Sequence, residues 1–159
     1  MKRQSSRRVI ATCFLVWFLA PAASAEPAPP SPVGNWSFHT GEMRNTCVLR
    51  GEMSITRKPD RTLICRFTAD WSCKSGMMRS VETMQSCVAT QASNDVVITS
   101  RMEKIIRSDP AEFLDYMRAS YAPDHFKLKI NARGDEMRGL FHSFGQAEVV
   151  FRRNHDLIG

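Results

Sequence analysis

Cys47, Cys65, Cys73 and Cys87 stand 18, 8 and 14 residues apart, and every separation is even. Cysteine offers three kinds of chemistry: a nucleophilic thiolate, a metal-bound thiolate or a disulfide. A zinc site is disfavoured, because no Cys-x-x-Cys pair occurs and His39, His125, His142 and His155 are not at metal-ligand spacing. A nucleophile–base pair is no better supported. His142 and Ser143 are sequence neighbours, so on a regular strand their side chains leave from opposite faces. Asp124, Asp135, Glu136 and Glu148 are candidates for carboxylate pairing, but at turns and strand ends carboxylates more often serve solubility. No glycine-rich phosphate loop or nucleophile elbow appears. The reading is a non-enzymatic protein with no catalytic residue, no metal and no cofactor. The four cysteines are then best used as two disulfides in an oxidising compartment.

The start of the chain agrees with that compartment. Lys2, Arg3, Arg7 and Arg8 precede an apolar run from Val9 to Ala20, and Ala23-Ser24-Ala25 has the form of a cleavage site. Residues 1–25 read as a signal peptide, too short in its apolar run to anchor the remainder, and Cys13 leaves with it. The expected location is periplasmic or secreted. Of 159 residues, 134 remain, with 18 basic against 16 acidic side chains, because four of the 22 basic residues lie in the leader and none of the acidic ones does. A net charge of +2 gives no basis for nucleic-acid binding. Residues 26–33 are Pro-rich and are expected to form a disordered or extended lead, residues 34–153 one domain, and residues 154–159 a short tail.

The domain alternates apolar and polar residues with a period of two, the signature of half-buried strands. Eight strands are expected. They are marked by Trp36 and Phe38; Cys47 to Ile55; Leu63 to Cys73; Ser80 to Ala89; "DVVITSRMEKII"; Phe126 to Ile130; Met137 to Phe141; and Ala147 to Phe151. Short turns separate most of them and imply an antiparallel meander. A turn about Asp60 places Cys47 opposite Cys73, and a turn about Gly76 places Cys65 opposite Cys87. Paired Cα atoms about 4.5–5.5 Å apart are within disulfide reach. The alternative, Cys47 with Cys65 and Cys73 with Cys87, would need turns near residues 56 and 80, where no turn residues stand. An Arg133-Gly134 turn predicts Phe126 opposite Phe141 and Leu128 opposite Gly139. A turn about Gly145 predicts Phe141 opposite Val149 and Gly139 opposite Phe151.

One segment, residues 108–123, carries Asp109, Pro110 and Glu112 at the cap positions of a helix, with Phe113, Met117 and Tyr121 toward one face. A short helix over about 109–121 is expected between strands five and six, covering one mouth of the sheet. Eight meandering strands leave two open edges unless they close, so the expected architecture is all-β, an eight-stranded up-and-down barrel. A split sandwich is the runner-up.

Gly34-Asn35-Trp36 at the first strand and Phe151-Arg152-Arg153 at the last resemble the calycin superfamily of lipocalin-like and avidin-like barrels. The resemblance implies that Trp36 plugs the barrel floor with Arg152 or Arg153 stacked on it. A lipocalin's helix usually follows its last strand, whereas the one expected here interrupts the barrel. The chain is similar in the same general way to a bacterial periplasmic inhibitor of metalloproteases. Two functions follow. The first is binding of a small apolar ligand, with Phe67, Trp71, Leu128 and Phe141 as lining and the helix as cover. The second is contact with a periplasmic or secreted protein, made by loops or by the Pro-rich lead. Met77 and Met78, at a predicted hairpin tip, suggest such a surface.

Overall fold

The computed structural model describes residues 28–43 and 46–154. The proposed signal peptide and all of the tail but Asn154 lie outside them. The chain forms eight strands: β1 Gly34–Thr40, β2 Cys47–Arg57, β3 Leu63–Cys73, β4 Ser80–Ala92, β5 Asp95–Asp109, β6 His125–Ile130, β7 Glu136–His142 and β8 Gln146–Arg153. Each pairs antiparallel with the next, and β1 also pairs with β8, so the meander closes into a barrel. A 3-10 turn, Ala111–Phe113, and helix α1, Leu114–Ser120, lie between β5 and β6.

Alternation sets the inside and outside of the wall. Leu63, Cys65, Phe67, Ala69 and Trp71 of β3 are all buried, while the residues between them face outward. Cys47 pairs with Cys73 and Cys65 with Cys87, at Cα separations of 4.0 and 4.8 Å, and both disulfides form. Phe126 lies opposite Phe141 and Leu128 opposite Gly139, as the Arg133-Gly134 turn predicts. The next hairpin differs from expectation by two residues. Phe141 faces Ala147 and Gly139 faces Val149, because the turn is centred on Phe144, with His142 and Gln146 as its last pair.

Strand β5 also departs from simple alternation. Two bulges leave Glu103 and Ile106 without a residue opposite on β4. They turn Ile105 and Ser108 inward and Lys104 outward, whereas an unbroken period would bury Lys104. Only Asp95 to Ile98 of β5 pair with β6. The rest of β5 runs on beside the helix. The expected Asp109 cap is not made: Asp109 ends β5, Pro110 precedes the 3-10 turn, and no side chain caps it.

The middle of the barrel is filled by aromatic rings. Phe38 lies 5.9 Å from Phe67, 5.5 Å from Phe126 and 4.8 Å from Phe151, ring centre to ring centre. The first two contacts are edge-on and the third is stacked, and such pairs add to the burial energy of large apolar groups. One end is closed by Trp36, which is fully buried. The Arg153 guanidinium stacks 4.3 Å from its ring centre. Arg152 instead points outward, near Glu136. Arg153 also donates to the carbonyls of Gly134 at 2.7 Å, Ser31 at 2.8 Å and Val33 at 2.5 Å. Trp36 Nε1 donates to Pro32 O, and Gln91 Nε2 to Pro30 O. Residues 30–33 of the Pro-rich lead are therefore a strap across the floor, the extended rather than the disordered form of the expected lead. Proline's missing N–H excludes it from a sheet interior but leaves its carbonyl to accept.

Candidate functional site

Up-and-down topology sends four connections to one end of the barrel: residues 41–46, 74–79, 110–124 and 143–145. The opposite, floor end carries the polar turns 58–62, 93–94 and 131–135. The two ends differ in chemistry. Met77, Tyr116 and Phe144, at 77%, 65% and 54% exposure, are the most exposed large apolar side chains among the described residues, and all three belong to the helix end. Met43 lies near Gly145, and the Tyr121 ring stands edge-on to Phe144 at 5.2 Å. Met78 packs against the core, so of the two methionines at the β3–β4 tip only Met77 stands clear.

Beneath this rim lies a buried polar cluster. Asp124, at the entry to β6, is fully buried, which corrects its reading as a solubilising residue. Its Oδ2 accepts from Gln85 Nε2 at 2.5 Å and from the Tyr121 hydroxyl at 2.9 Å, and its backbone N–H donates to Gln85 Oε1. Gln85 and Thr83 reach the interior because β4 alternates, which puts them on the face of Val81 and Cys87. Thr83 Oγ1 accepts from Gln85 Nε2 and donates to Ala69 O. Ser100 Oγ donates to Asp124 O, and the Ser100 N–H donates to His125 Nδ1 at 3.0 Å. Helix α1 packs beside β5 at this end, with Met117 as its one buried side chain.

Two buried atoms in this cluster make no hydrogen bond among the described residues: Trp71 Nε1 and Asp124 Oδ1. The indole N–H lies close enough to favour ionisation of both Asp124 and Tyr121, yet it forms no bond of adequate geometry with either. Burial pushes the Asp124 carboxyl up to about 6, and the donors Tyr121, Gln85, Ser143 and Trp71 partly offset that rise. Burial, then the nearby Asp124 charge, raises the Tyr121 hydroxyl further above its ordinary range.

The raised Asp124 pKa has a defined consequence for stability. The folded protein holds this proton more tightly than the unfolded chain, whose carboxyl titrates near 3.8. The folded state is thus favoured below that value and loses the advantage as pH rises to about 6. Between pH 4 and 7 the unfolding free energy should fall by roughly 2 kcal/mol relative to that of Asp124→Asn. Urea denaturation of both proteins across that range measures the difference; parallel curves would remove the assignment.

Of the expected lining residues, Trp71 and Phe141 meet at the helix end, ring centres 5.6 Å apart. Phe67 and Leu128 stand within the packed middle, with Phe67 against Phe126 at 5.8 Å. The histidines do not converge on a metal. His125 and His142 face each other across β6 and β7, while His39 pairs with Arg50 on the other side of the barrel; His155 lies outside the described residues. No group of three His, Cys, Asp or Glu side chains among the described residues is placed to hold a metal ion. A hollow on the outer wall carries Arg50, Asp70, Glu82 and Arg107 side by side. Arg107 pairs there with Asp70 at 3.7 Å and with Glu82 at 3.4 Å, partly exposed ion pairs of little energetic weight.

No protein-family model and no characterised relative matches this sequence. Among solved structures, the chain is similar to a de novo designed fluorescence-activating β-barrel, at 15% identity and a TM-score of 0.41, over 77% of this chain and 93% of that one. No helix among the described residues is long and apolar enough to cross a membrane.

Sequence reasoning passed over Gln85 and Thr83, and gave Tyr121 only a place on the helix face. The first two were visible as polar residues at inward positions of an alternating strand. Tyr121 carried no comparable signal, because its contact with Asp124 depends on how the chain returns from α1.

Proposed function

We propose that this chain is a secreted or periplasmic, non-enzymatic binding barrel of calycin-like form that takes a small apolar molecule at its helix end. The observation that carries the reading is the asymmetry of the two ends. The floor is sealed by Trp36, Arg153 and the strap, whereas the helix end presents Met77, Tyr116 and Phe144 to solvent above Trp71 and Phe141. Exposed apolar groups concentrated at one place mark binding surfaces, since burying them from water is the driving force. Methionine and aromatic side chains adapt to ligands of varied shape. The middle of the barrel is core, so the ligand is placed above Trp71 and Phe141, with α1 as a cover that shifts to admit it. The two disulfides support an oxidising location.

Titration with Nile red, a neutral apolar dye, should give saturable one-to-one fluorescence enhancement. The double substitution Met77→Ser, Phe144→Ser should weaken it about tenfold with only a small loss of melting temperature, as both side chains are more than half exposed. Undiminished binding by the variant would place the dye elsewhere. Failure of the native protein to bind any such probe would leave the second reading, that this rim docks on a secreted or periplasmic protein, a protease included. In that reading the lead is not a free inhibitory arm, because its residues 30–33 are committed to the floor.

A further inference from the structure

We infer that the helix end recognises a neutral head group that both donates and accepts a hydrogen bond, a hydroxyl being the smallest, carried on an apolar body. The inference rests on the binding reading above and adds the chemistry of the ligand's polar end. Buried polar atoms in folded proteins are almost always paired, so an unpaired donor and an unpaired acceptor in one cluster are a pattern to be explained. Asp124 is fully buried, its Oδ2 takes two bonds from Gln85 and Tyr121, and its Oδ1 takes none. Trp71 Nε1, a donor with a single proton, is likewise unsatisfied. The two belong to one site: Trp71 packs on Phe141, whose partner across β6 and β7, Phe126, stands two residues from Asp124.

A group that completes the site must accept from the indole and donate to the carboxylate oxygen. A hydroxyl does both with one atom: a lone pair takes the Trp71 N–H and its proton goes to Asp124 Oδ1. An ether oxygen accepts only. A carboxylate also accepts only, and it would bring a second negative charge beside Asp124. An ammonium donates only and leaves the indole N–H facing a cation, besides the cost of removing a charge from water. Sites built to hydrogen-bond a hydroxyl reject analogues lacking it by large factors, since the buried partners are then left unpaired.

Displacement of bound Nile red tests this at about pH 7.5 with four probes sharing one chain: 1-decanol, decyl methyl ether, decanoate and decylammonium. Decanol should displace the dye at a concentration at least tenfold below each of the others, and Trp71→Phe, which keeps an aromatic ring and removes the N–H, should weaken decanol about tenfold. Equal displacement by all four would overturn the head-group assignment while leaving the binding reading intact. Preference for decylammonium would overturn it in favour of an ion pair with Asp124. A protein that binds neither the dye nor any of the four probes would fail the binding reading itself. Because the head-group series needs only the native protein, the result stands even if Trp71→Phe does not fold.

Discussion

Gly139→Ala should destabilise the barrel by about 3–5 kcal/mol, at the upper end of what overpacking a core produces. A Cβ at Gly139 would lie 1.9 Å from the carbonyl oxygen of Lys127 and 2.8 Å from the Leu128 Cα. Both are backbone atoms of the neighbouring strand β6, so no side chain can rotate away, and the sheet itself must open. Gly51 is in the same position: its Cβ would meet Thr68 O at 2.1 Å and the Phe38 ring at 2.5 and 2.7 Å. Small barrels bend most sharply where an inward glycine lets strands or rings approach. Gly41→Ala is the control, since nothing lies within 4 Å of its Cβ. Thermal unfolding of the three variants should lower the melting temperature by roughly 10–20 °C for Gly139→Ala and Gly51→Ala and by little for Gly41→Ala. Near-native behaviour of Gly139→Ala would mean that β6 and β7 are not this close.

The floor carries the second large effect. Trp36→Ala should cost about 3–5 kcal/mol, the usual penalty for deleting a buried tryptophan. The double-mutant cycle with Arg153 is the more informative measurement. Arg153 stacks on Trp36 and also fans three hydrogen bonds to Ser31, Val33 and Gly134, which lie on the strap, the entry to β1 and the β6–β7 turn. Arg153→Ala should therefore destabilise strongly alone and by at least about 1 kcal/mol less when Trp36 is already gone. Arg153→Lys should fail to rescue, because an ammonium at one point cannot span three carbonyls as a planar guanidinium does. Gly34 belongs to the same construction: its φ of 140° favours glycine, and a Cβ there, 2.2 Å from Arg153 Nη1, would push the guanidinium off its place. Strict additivity of the two substitutions would show that the stack and the strap act independently.

The same residues show where sequence reasoning reached and where it stopped. Strand identity, the closed meander and both disulfides follow from a period-two pattern joined to turn positions. In β2–β3 and β3–β4 the cysteine positions restate the register that the turns imply. The β7–β8 register escaped by two residues because Ser143-Phe144-Gly145 permits more than one turn centre, and an apolar face shifted by two remains apolar. The strap escaped because a Pro-rich composition reports only the lack of N–H donors, whereas its docking uses carbonyls and partners more than a hundred residues away.

The candidate site divides in the same way. The amino-acid order alone determined that Thr83 and Gln85 face inward, that Trp71 and Phe141 share the interior, and that a short helix follows β5, since each of these is set by local periodicity. Only the tertiary structure decided that Asp124 is buried rather than solvated, that Tyr121 and Gln85 bind the same oxygen of it, and that the apolar residues Met77, Tyr116 and Phe144 gather at one end. Those facts depend on closure of the sheet, which brings β3, β4, β6 and the β7–β8 turn to one mouth from positions far apart in the chain. Local pattern determines which way a side chain points; what it meets there is decided by the return of distant strands.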